Sequence, residues 1–365
     1  MKKVIITICI LLVTFLMGVA STLYIIDKYP SSFVETVTKV EKDVTITDTG
    51  ISEAVSKVYD SVVIVSTYKN NYLYSQGSGF IYNVIEGDSY IITNHHVIEK
   101  GNKYNITYTD GEVLEATLLG SDEYSDIAVL KVKTKKEYEK VQIGDTSVLN
   151  PGDTTFTVGA PLDNVYSWTV TRGIISGKER LVEISTSSYG NDYIMNVLQT
   201  DAAVNSGNSG GPLCNSNGEV IGVISSKISS TGVEGMGFAI PIETAVEKAE
   251  QIIKGQSSEY PYLGISMLDV SDIRSYPMYY GYLGKAELTN GVMIVDIESN
   301  SSADKSGLEK GDIITKINDT NISNIAYLRY ELYKYKVGDT ITITYERDGK
   351  EMETKVKLVS NNETI

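Results

Sequence analysis

Between Val62 and Ile240 the chain breaks into short runs rich in valine, isoleucine, threonine and tyrosine, separated by Gly, Asn, Asp and Ser. Close, regular spacing of such runs with turn punctuation predicts an all-β sandwich or barrel. The runs fall into two groups. Val62–Tyr68, Gly79–Val84, Tyr90–Thr93, Asn105–Thr109, Val113–Leu119 and Ile127–Val132 precede the turn Asn150-Pro151-Gly152-Asp153. Thr154–Val158, Thr169–Ser176, Ile194–Gln199, Val220–Ser226 and Gly237–Ile240 follow it. Division near Asn150 predicts two β-barrels packed together. Ile51, Val55, Val58 and Val62 recur at helical spacing before the first strand. Pro241 to Lys254 reads as a helix, with proline at its start and Gly255 beyond its end. After the break Gly255-Gln256-Ser257-Ser258, residues 260–359 change character. Strand-like Gly291–Glu298 and Ile341–Tyr345 and a helical run Ile325–Tyr335 predict a small α+β domain.

The N-terminus sets the compartment. Lys2 and Lys3 precede an uncharged stretch from Val4 to Ile26. As a helix that stretch covers about 35 Å, against roughly 30 Å for a bilayer core. It is longer than the apolar region of a signal peptide, and Gly18-Val19-Ala20-Ser21 is a weak cleavage site. The expectation is a cytoplasmic tip and transmembrane anchor over residues 1–26, with the remainder extracytoplasmic by the positive-inside tendency. Residues 27–50 read as a polar tether, 51–255 as the double-barrel domain, 260–359 as the second domain and 360–365 as a tail. A net charge of -15 argues against a nucleic-acid partner. Two cysteines, one inside the apolar run, predict no disulfide, and two histidines leave no Cys/His metal cluster and no sign of a cofactor. Those histidines, His95 and His96, are adjacent, so any imidazole chemistry happens there.

Three stretches carry that chemistry, in the order His, Asp, Ser. Thr93-Asn94-His95-His96-Val97 follows a hydrophobic strand, and Ser125-Asp126-Ile127-Ala128-Val129-Leu130 puts a carboxylate at the mouth of another. The third is Asp201-Ala202-Ala203-Val204-Asn205-Ser206-Gly207-Asn208-Ser209-Gly210-Gly211-Pro212. A serine hydroxyl needs an adjacent base to become a nucleophile and backbone N–H groups to hold the oxyanion it creates. Glycines on both sides of Ser209 permit the tight turn this requires. The candidate triad is His96, Asp126 and Ser209, with the oxyanion hole in Gly207-Asn208-Ser209, principally the N–H groups of Gly207 and Ser209. Chain order matches chymotrypsin rather than subtilisin or the α/β-hydrolases, and two barrels with the triad in their cleft go with that order. The primary substrate pocket is expected near Ala203 and Val204, with Ser225 and Ser226 along one wall. It has no carboxylate for a basic side chain, so small aliphatic residues are expected before the cut.

These motifs, with Gln199-Thr200-Asp201-Ala202-Ala203 and Gly237-Phe238-Ala239-Ile240-Pro241, resemble the HtrA/Deg type of trypsin-like serine protease over about Ile51–Val359. The resemblance implies a chymotrypsin-like double β-barrel protease domain followed by a PDZ domain. Tyr262-Leu263-Gly264-Ile265 is similar to a PDZ carboxylate-binding loop, and Ser306-Gly307-Leu308-Glu309-Lys310-Gly311-Asp312 also fits the PDZ pattern. By the same match His96, not His95, is the triad member; Ser206 departs from the family's usual proline. The resemblance further implies ATP-independent degradation of unfolded or misfolded extracytoplasmic proteins, peptide C-termini bound at the PDZ domain, a homotrimer, and a sensing loop at Ser185–Asp192. The Tyr276–Tyr282 stretch is expected to cover a core edge. A binding protein or holdase dominated by its PDZ domain is the alternative.

Overall fold

A computed structural model describes residues 2–28, 49–160, 167–184, 193–205, 207–228, 235–256, 259–273, 281 and 289–360. The sensing-loop stretch and nearly all of Tyr276–Tyr282 lie outside them. The chain divides into two units, Met1–Thr47 and Asp48–Ile365. The first holds helix α1 (Lys2–Lys28). Residues Lys2–Ile25, of mean hydropathy 2.7, are long and apolar enough to cross a bilayer. The hydroxyls of Thr7, Thr14, Ser21 and Thr22 donate to carbonyls three or four residues back. Such back-bonding satisfies a polar group where no water is at hand.

The second unit begins with α2 (Thr49–Val58) and a closed barrel in the order β1-β2-β3-β6-β5-β4. Its strands are β1 (Val62–Lys69), β2 (Tyr72–Ile85), β3 (Asp88–Thr93), β4 (Lys103–Thr107), β5 (Val113–Asp122) and β6 (Ile127–Lys133), with the short helix α3 (His95–Ile98) after β3. The second barrel runs β11-β8-β9-β10-β13-β12, with β11 also pairing β12 and β7 (Gln142–Ile143) added at β12. Its strands are β8 (Thr154–Gly159), β9 (Thr169–Ile184), β10 (Tyr193–Thr200), β11 (Pro212–Asn215), β12 (Glu219–Ile224) and β13 (Gly237–Pro241). Helix α4 (Ile242–Ile253) follows. Ala245, Ala249 and Ile252 of α4 share one apolar cluster with Phe80, Ile92 and Val129 of the first barrel and Phe156, Val223 and Ile240 of the second. Non-directional burial of apolar area on that seam holds the two barrels, and therefore the cleft between them, in place.

Two strands run further than their hydrophobic patterns predict. The strand expected over Gly79–Val84 reaches back through Gly77 and Ser78 to Tyr72, and a Cβ at Gly77 would meet Val97 at 2.7 Å and the Ser209 carbonyl oxygen at 2.9 Å. The glycine marks a close backbone approach, not a break. In β9 the polar Gly177–Arg180 stretch is absorbed by register shifts opposite β10, and Arg180–Ile184 go on pairing with Tyr193–Val197.

The C-terminal domain carries the sheet β15-β16-β17-β19-β20, formed by β15 (Ile265–Asp269), β16 (Val292–Ile297), β17 (Ile313–Ile317), β19 (Thr340–Arg347) and β20 (Lys350–Lys357). The two-residue strand β18 (Thr320–Asn321) pairs β17, while β14 (Pro261–Tyr262) pairs β21 (Val359–Ser360). Short helices α5 (Val270–Ile273) and α6 (Ser302–Lys305) precede α7 (Ile325–Leu332), which packs Leu328 and Leu332 onto the core with Val292, Ile314 and Ile343. The expected helix to Tyr335 ends three residues sooner, with Tyr333 as its C-cap. All three domain elements are mostly β-sheet apart from the helices named, as the sequence pattern requires.

Candidate active site

Strand β3 delivers Asn94 in extended conformation to the start of α3, so the imidazole of His96 projects from a first helical turn. Asp126 occupies the turn into β6 at φ +54°, a left-handed conformation that aspartate tolerates better than most residues. The two loops are stitched together by backbone. His95 N–H and the Asn94 side-chain amide both donate to the Asp126 carbonyl, at 3.1 and 3.0 Å. His96 N–H donates to Asp126 Oδ1 at 3.0 Å, and His96 Nδ1 lies 2.8 Å from Oδ2. His95 Nδ1 instead meets Ser121 Oγ.

Asp126 is fully buried, which opposes its ionisation. Hydrogen bonds and charge from His96, with one bond from Ser225, outweigh burial and hold the carboxyl below the usual range. The Ser225 bond, Oγ to Oδ2 at 2.8 Å, corrects the expectation for that residue. The Ser225 side chain is buried against Asp126. The His96 side chain stays 22% exposed, so the imidazole opens toward the cleft.

Ser209 is held by its neighbours' backbone. Ser78 N–H donates to the Ser209 carbonyl, and Ser78 Oγ donates to the Gly207 carbonyl at 2.7 Å. Ser78 was not among the residues singled out from sequence; its flanking glycines were the available signal. Gly207 sits at φ +105°, where a side chain would be strained. The N–H groups of Gly207 and Ser209 donate to no described residue. Asn208 N–H does donate, to the Asn205 carbonyl at 3.0 Å, so Asn208 drops out of the expected oxyanion hole. Ser209 Oγ accepts from Ser226 N–H at 3.0 Å and lies 2.5 Å from Ser226 Oγ. It makes no hydrogen bond to His96 among the described residues.

Of the expected pocket residues, Val204 meets the place a side chain at Gly237 would take, with its Cγ2 2.6 Å from that Cβ position. Ala203 is exposed, and its carbonyl accepts from Thr171 Oγ1. Asp201, the nearest carboxylate in sequence, accepts instead from Ile174 N–H of β9 at 2.7 Å.

A second site lies in the C-terminal domain. Gly264 adopts φ +73° with a would-be Cβ 2.2 Å from Ser301 Cβ, so only glycine fits. The N–H groups of Leu263 and Gly264 donate to no described residue, while their carbonyls accept from Ala303 and Glu298. Tyr262 is instead engaged at both ends, pairing with Val359 and donating its hydroxyl to Glu298. A cavity of about 280 Å³ runs from this loop between β15 and α7, lined by Leu263, Ile265, Met267, Leu328 and Leu332.

Two barrels with a His-Asp-Ser constellation in their cleft, followed by a sheet-and-helix domain whose Leu263 and Gly264 amides donate to no described residue, define a trypsin-like peptidase fold joined to a PDZ domain. Family comparison agrees: the trypsin-like peptidase domain matches residues 77–223 and the PDZ domain residues 261–358. The chain belongs to the HtrA family of serine proteases. It is 35% identical over 351 residues to serine protease Do-like HtrA of Lactococcus lactis subsp. cremoris, covering 88% of this chain and 86% of that protein. It is 42% identical over 292 residues to the Bacillus subtilis protein of the same name, covering 79% of this chain but 64% of the relative. The chain thus spans under two thirds of that relative's length. Among solved structures, the HtrA-type protease AlgW with decapeptide superposes with TM-score 0.65 at 27% identity, covering 85% of this chain and 98% of that one. The serine endoprotease from Yersinia pestis gives TM-score 0.63 at 27% identity, covering 85% and 97%.

Proposed function

We propose that this chain is an ATP-independent serine endopeptidase that degrades unfolded or misfolded extracytoplasmic proteins, with Ser209 as nucleophile, His96 as acid–base and Asp126 as orienting carboxylate. The observation that carries the reading is the buried, ionised Asp126 bonded to His96 Nδ1 beside a serine loop in which the Gly207 and Ser209 N–H groups donate to no described residue. With Nδ1 tied to Asp126, the other ring nitrogen is left to take the Ser209 proton. Oγ then bonds the scissile carbonyl carbon, and the oxyanion is received by Gly207 and Ser209 N–H. Collapse breaks the C–N bond as His96 returns the proton to the leaving amine. Water repeats the sequence on the acyl-enzyme. In the resting arrangement Ser209 Oγ is bonded to Ser226, so turnover requires rotation of that side chain toward His96. Val204 against Gly237, with Asp201 turned to β9, supports cleavage after small aliphatic residues.

Helix α1 is read as an uncleaved single-pass anchor that leaves both domains outside the cytoplasm, since its length and composition match a span. Peptide C-termini bind the Gly264 loop, and the assembly unit is a homotrimer, as the family resemblance implies. The test is digestion of casein by the full chain in detergent micelles beside Ser209→Ala. Cleavage by the parent alone, with fragments ending in Val, Ala or Leu, supports the proposal. Equal cleavage by both names the wrong nucleophile, and cleavage confined to Lys or Arg sites sinks the pocket assignment.

A further inference from the structure

Another cavity of the C-terminal domain, of about 440 Å³, shares no lining residue with the peptide groove. Strand alternation supplies its charge. Along β20 Val356 is buried in the core, so Lys355 and Lys357 on either side of it both take the other face. Lys305, the last residue of α6, brings a third ammonium to the same cavity. Two hydrogen bonds fasten α6 to this edge of the sheet. Thr354 Oγ1 donates to the Ser306 carbonyl at 2.7 Å, and Val359 N–H donates to Ser302 Oγ at 3.2 Å. Ser302 is only 2% exposed yet lines the cavity, and its hydroxyl hydrogen is given to no described residue. Among the described residues no carboxylate lines this space.

Lysines 305, 355 and 357 repel one another, and none of their ammonium groups makes an ion pair with a described residue. Elsewhere in the domain cations are matched, Lys334 to Glu331 and Arg347 to Asp312 and Glu309. The chain holds 47 acidic residues against 32 basic ones, so no shortage of carboxylates explains the unmatched trio. A solvated lysine face is the bland account, and it leaves the buried Ser302 hydroxyl among them unexplained. Lysine is a compact point charge with three donors and lacks the planar fork with which arginine grips a carboxylate. Three such charges and one hydroxyl donor suit a group that gathers several acceptor oxygens and more than one negative charge on a single centre. We propose that this cavity binds a phosphate group, carried on a small soluble ester or on a lipid headgroup. Its volume is that of a small-ligand site, ample for either.

The test uses the full chain carrying Ser209→Ala, to prevent self-cleavage, in phosphatidylcholine nanodiscs. Acetylation by a water-soluble succinimidyl ester is followed lysine by lysine with mass spectrometry, and Lys316 and Lys350, outside the cavity, serve as references. In one arm millimolar sn-glycerol 3-phosphate is added; in the other, phosphatidylglycerol replaces about a third of the phosphatidylcholine. Occupation should slow Lys305, Lys355 and Lys357 about threefold or more relative to the references, whereas sodium chloride at matched ionic strength should not. Slowing by glycerol phosphate assigns a soluble ester, and slowing by phosphatidylglycerol alone assigns a lipid headgroup. In whichever arm responds, Ser302→Ala should raise the phosphate concentration needed for half-protection about tenfold, the worth of a hydrogen bond to a charged group. Lys357→Gln, an exposed and conservative change, should bring protection of the other two lysines below about twofold. No slowing in either arm overturns the proposal. So does equal slowing of the reference lysines or by chloride, and so does protection that survives both Ser302→Ala and Lys357→Gln unchanged.

Discussion

The active-site loop and the peptide-groove loop solve one problem in two ways. In each, a pair of backbone N–H groups donates to no partner among the described residues, beside a glycine at positive φ, Gly207 at +105° and Gly264 at +73°. Around Ser209 the surrounding groups are polar and cross-linked: Ser78 on Gly207, Ser225 on Asp126, Ser226 on the nucleophile. Around Gly264 they are apolar, and the loop is pinned by backbone bonds from Ala303 and Glu298. In the proposed roles, the first pair would receive a charge that exists only in a transition state and the second a permanent carboxylate. A transient oxyanion rewards rigid, pre-aimed donors, whereas a stable ligand needs apolar area to add affinity and choice. The comparison teaches that similar backbone geometry becomes catalytic or merely receptive according to what is fastened around it.

Substitutions break the comparison in order of size. Ser209→Ala should lower kcat by about five to six orders of magnitude in a casein or peptide assay while leaving peptide binding at the groove unchanged. Gly207→Ala, which forces a side chain into the +105° conformation, should cost roughly a hundredfold to a thousandfold in kcat, with KM changed little. A KM effect of equal size would mean the loop serves binding instead. Ser225→Ala removes one donor from Asp126 and should lower kcat about tenfold by the worth of a charge-assisted hydrogen bond. Ser226→Ala should act in the opposite direction. Removing the hydroxyl that holds Ser209 Oγ is expected to raise kcat severalfold, and a fall would show that Ser226 aligns the nucleophile.

The smallest effect concerns the groove domain and pH. Burial pushes Asp269 up to about 6; its bond from Ile325 N–H and the charge of Arg329 oppose the shift, and Asp272 and Glu183 add to it. The folded state therefore binds this proton more tightly than the unfolded chain, where the group titrates near 3.8. Stability from this group is complete below about pH 4 and is lost as pH rises through about 6. Asp269→Asn, which keeps an acceptor for Ile325, should raise Tm by a few degrees at pH 7.5. The gain should vanish at pH 4; a gain equal at both values would rule out the charge as its cause.

Much of this was legible in sequence because it is local. A Gly-x-Ser-Gly-Gly-Pro string names its own turn and candidate nucleophile, and alternating β-branched runs name strands. The Tyr262-Leu263-Gly264-Ile265 loop is likewise short and self-contained. Legibility failed where a local signal had a distant cause. No neighbour of Gly77-Ser78-Gly79 in the chain names the Ser209 backbone that lies against it, and Ser78 reaches Gly207 across 129 residues of chain.

By itself, then, the sequence determined the chemical groups, His96, Asp126 and Ser209, and the two-barrel-plus-PDZ order of the chain. Tertiary structure decided what those groups are fastened to. Ser225 backs Asp126 from 99 residues away, Ser226 rather than His96 holds the resting Ser209 Oγ, and Tyr124 lines a groove in the other domain. The reason is physical. A strand or turn is fixed by the preferences of a few adjacent residues, but a hydrogen bond or ring contact across barrels depends on the relative placement of whole sheets. That placement is set by the packed seam of Phe80, Phe156, Ile240 and Ile252, which no short motif encodes.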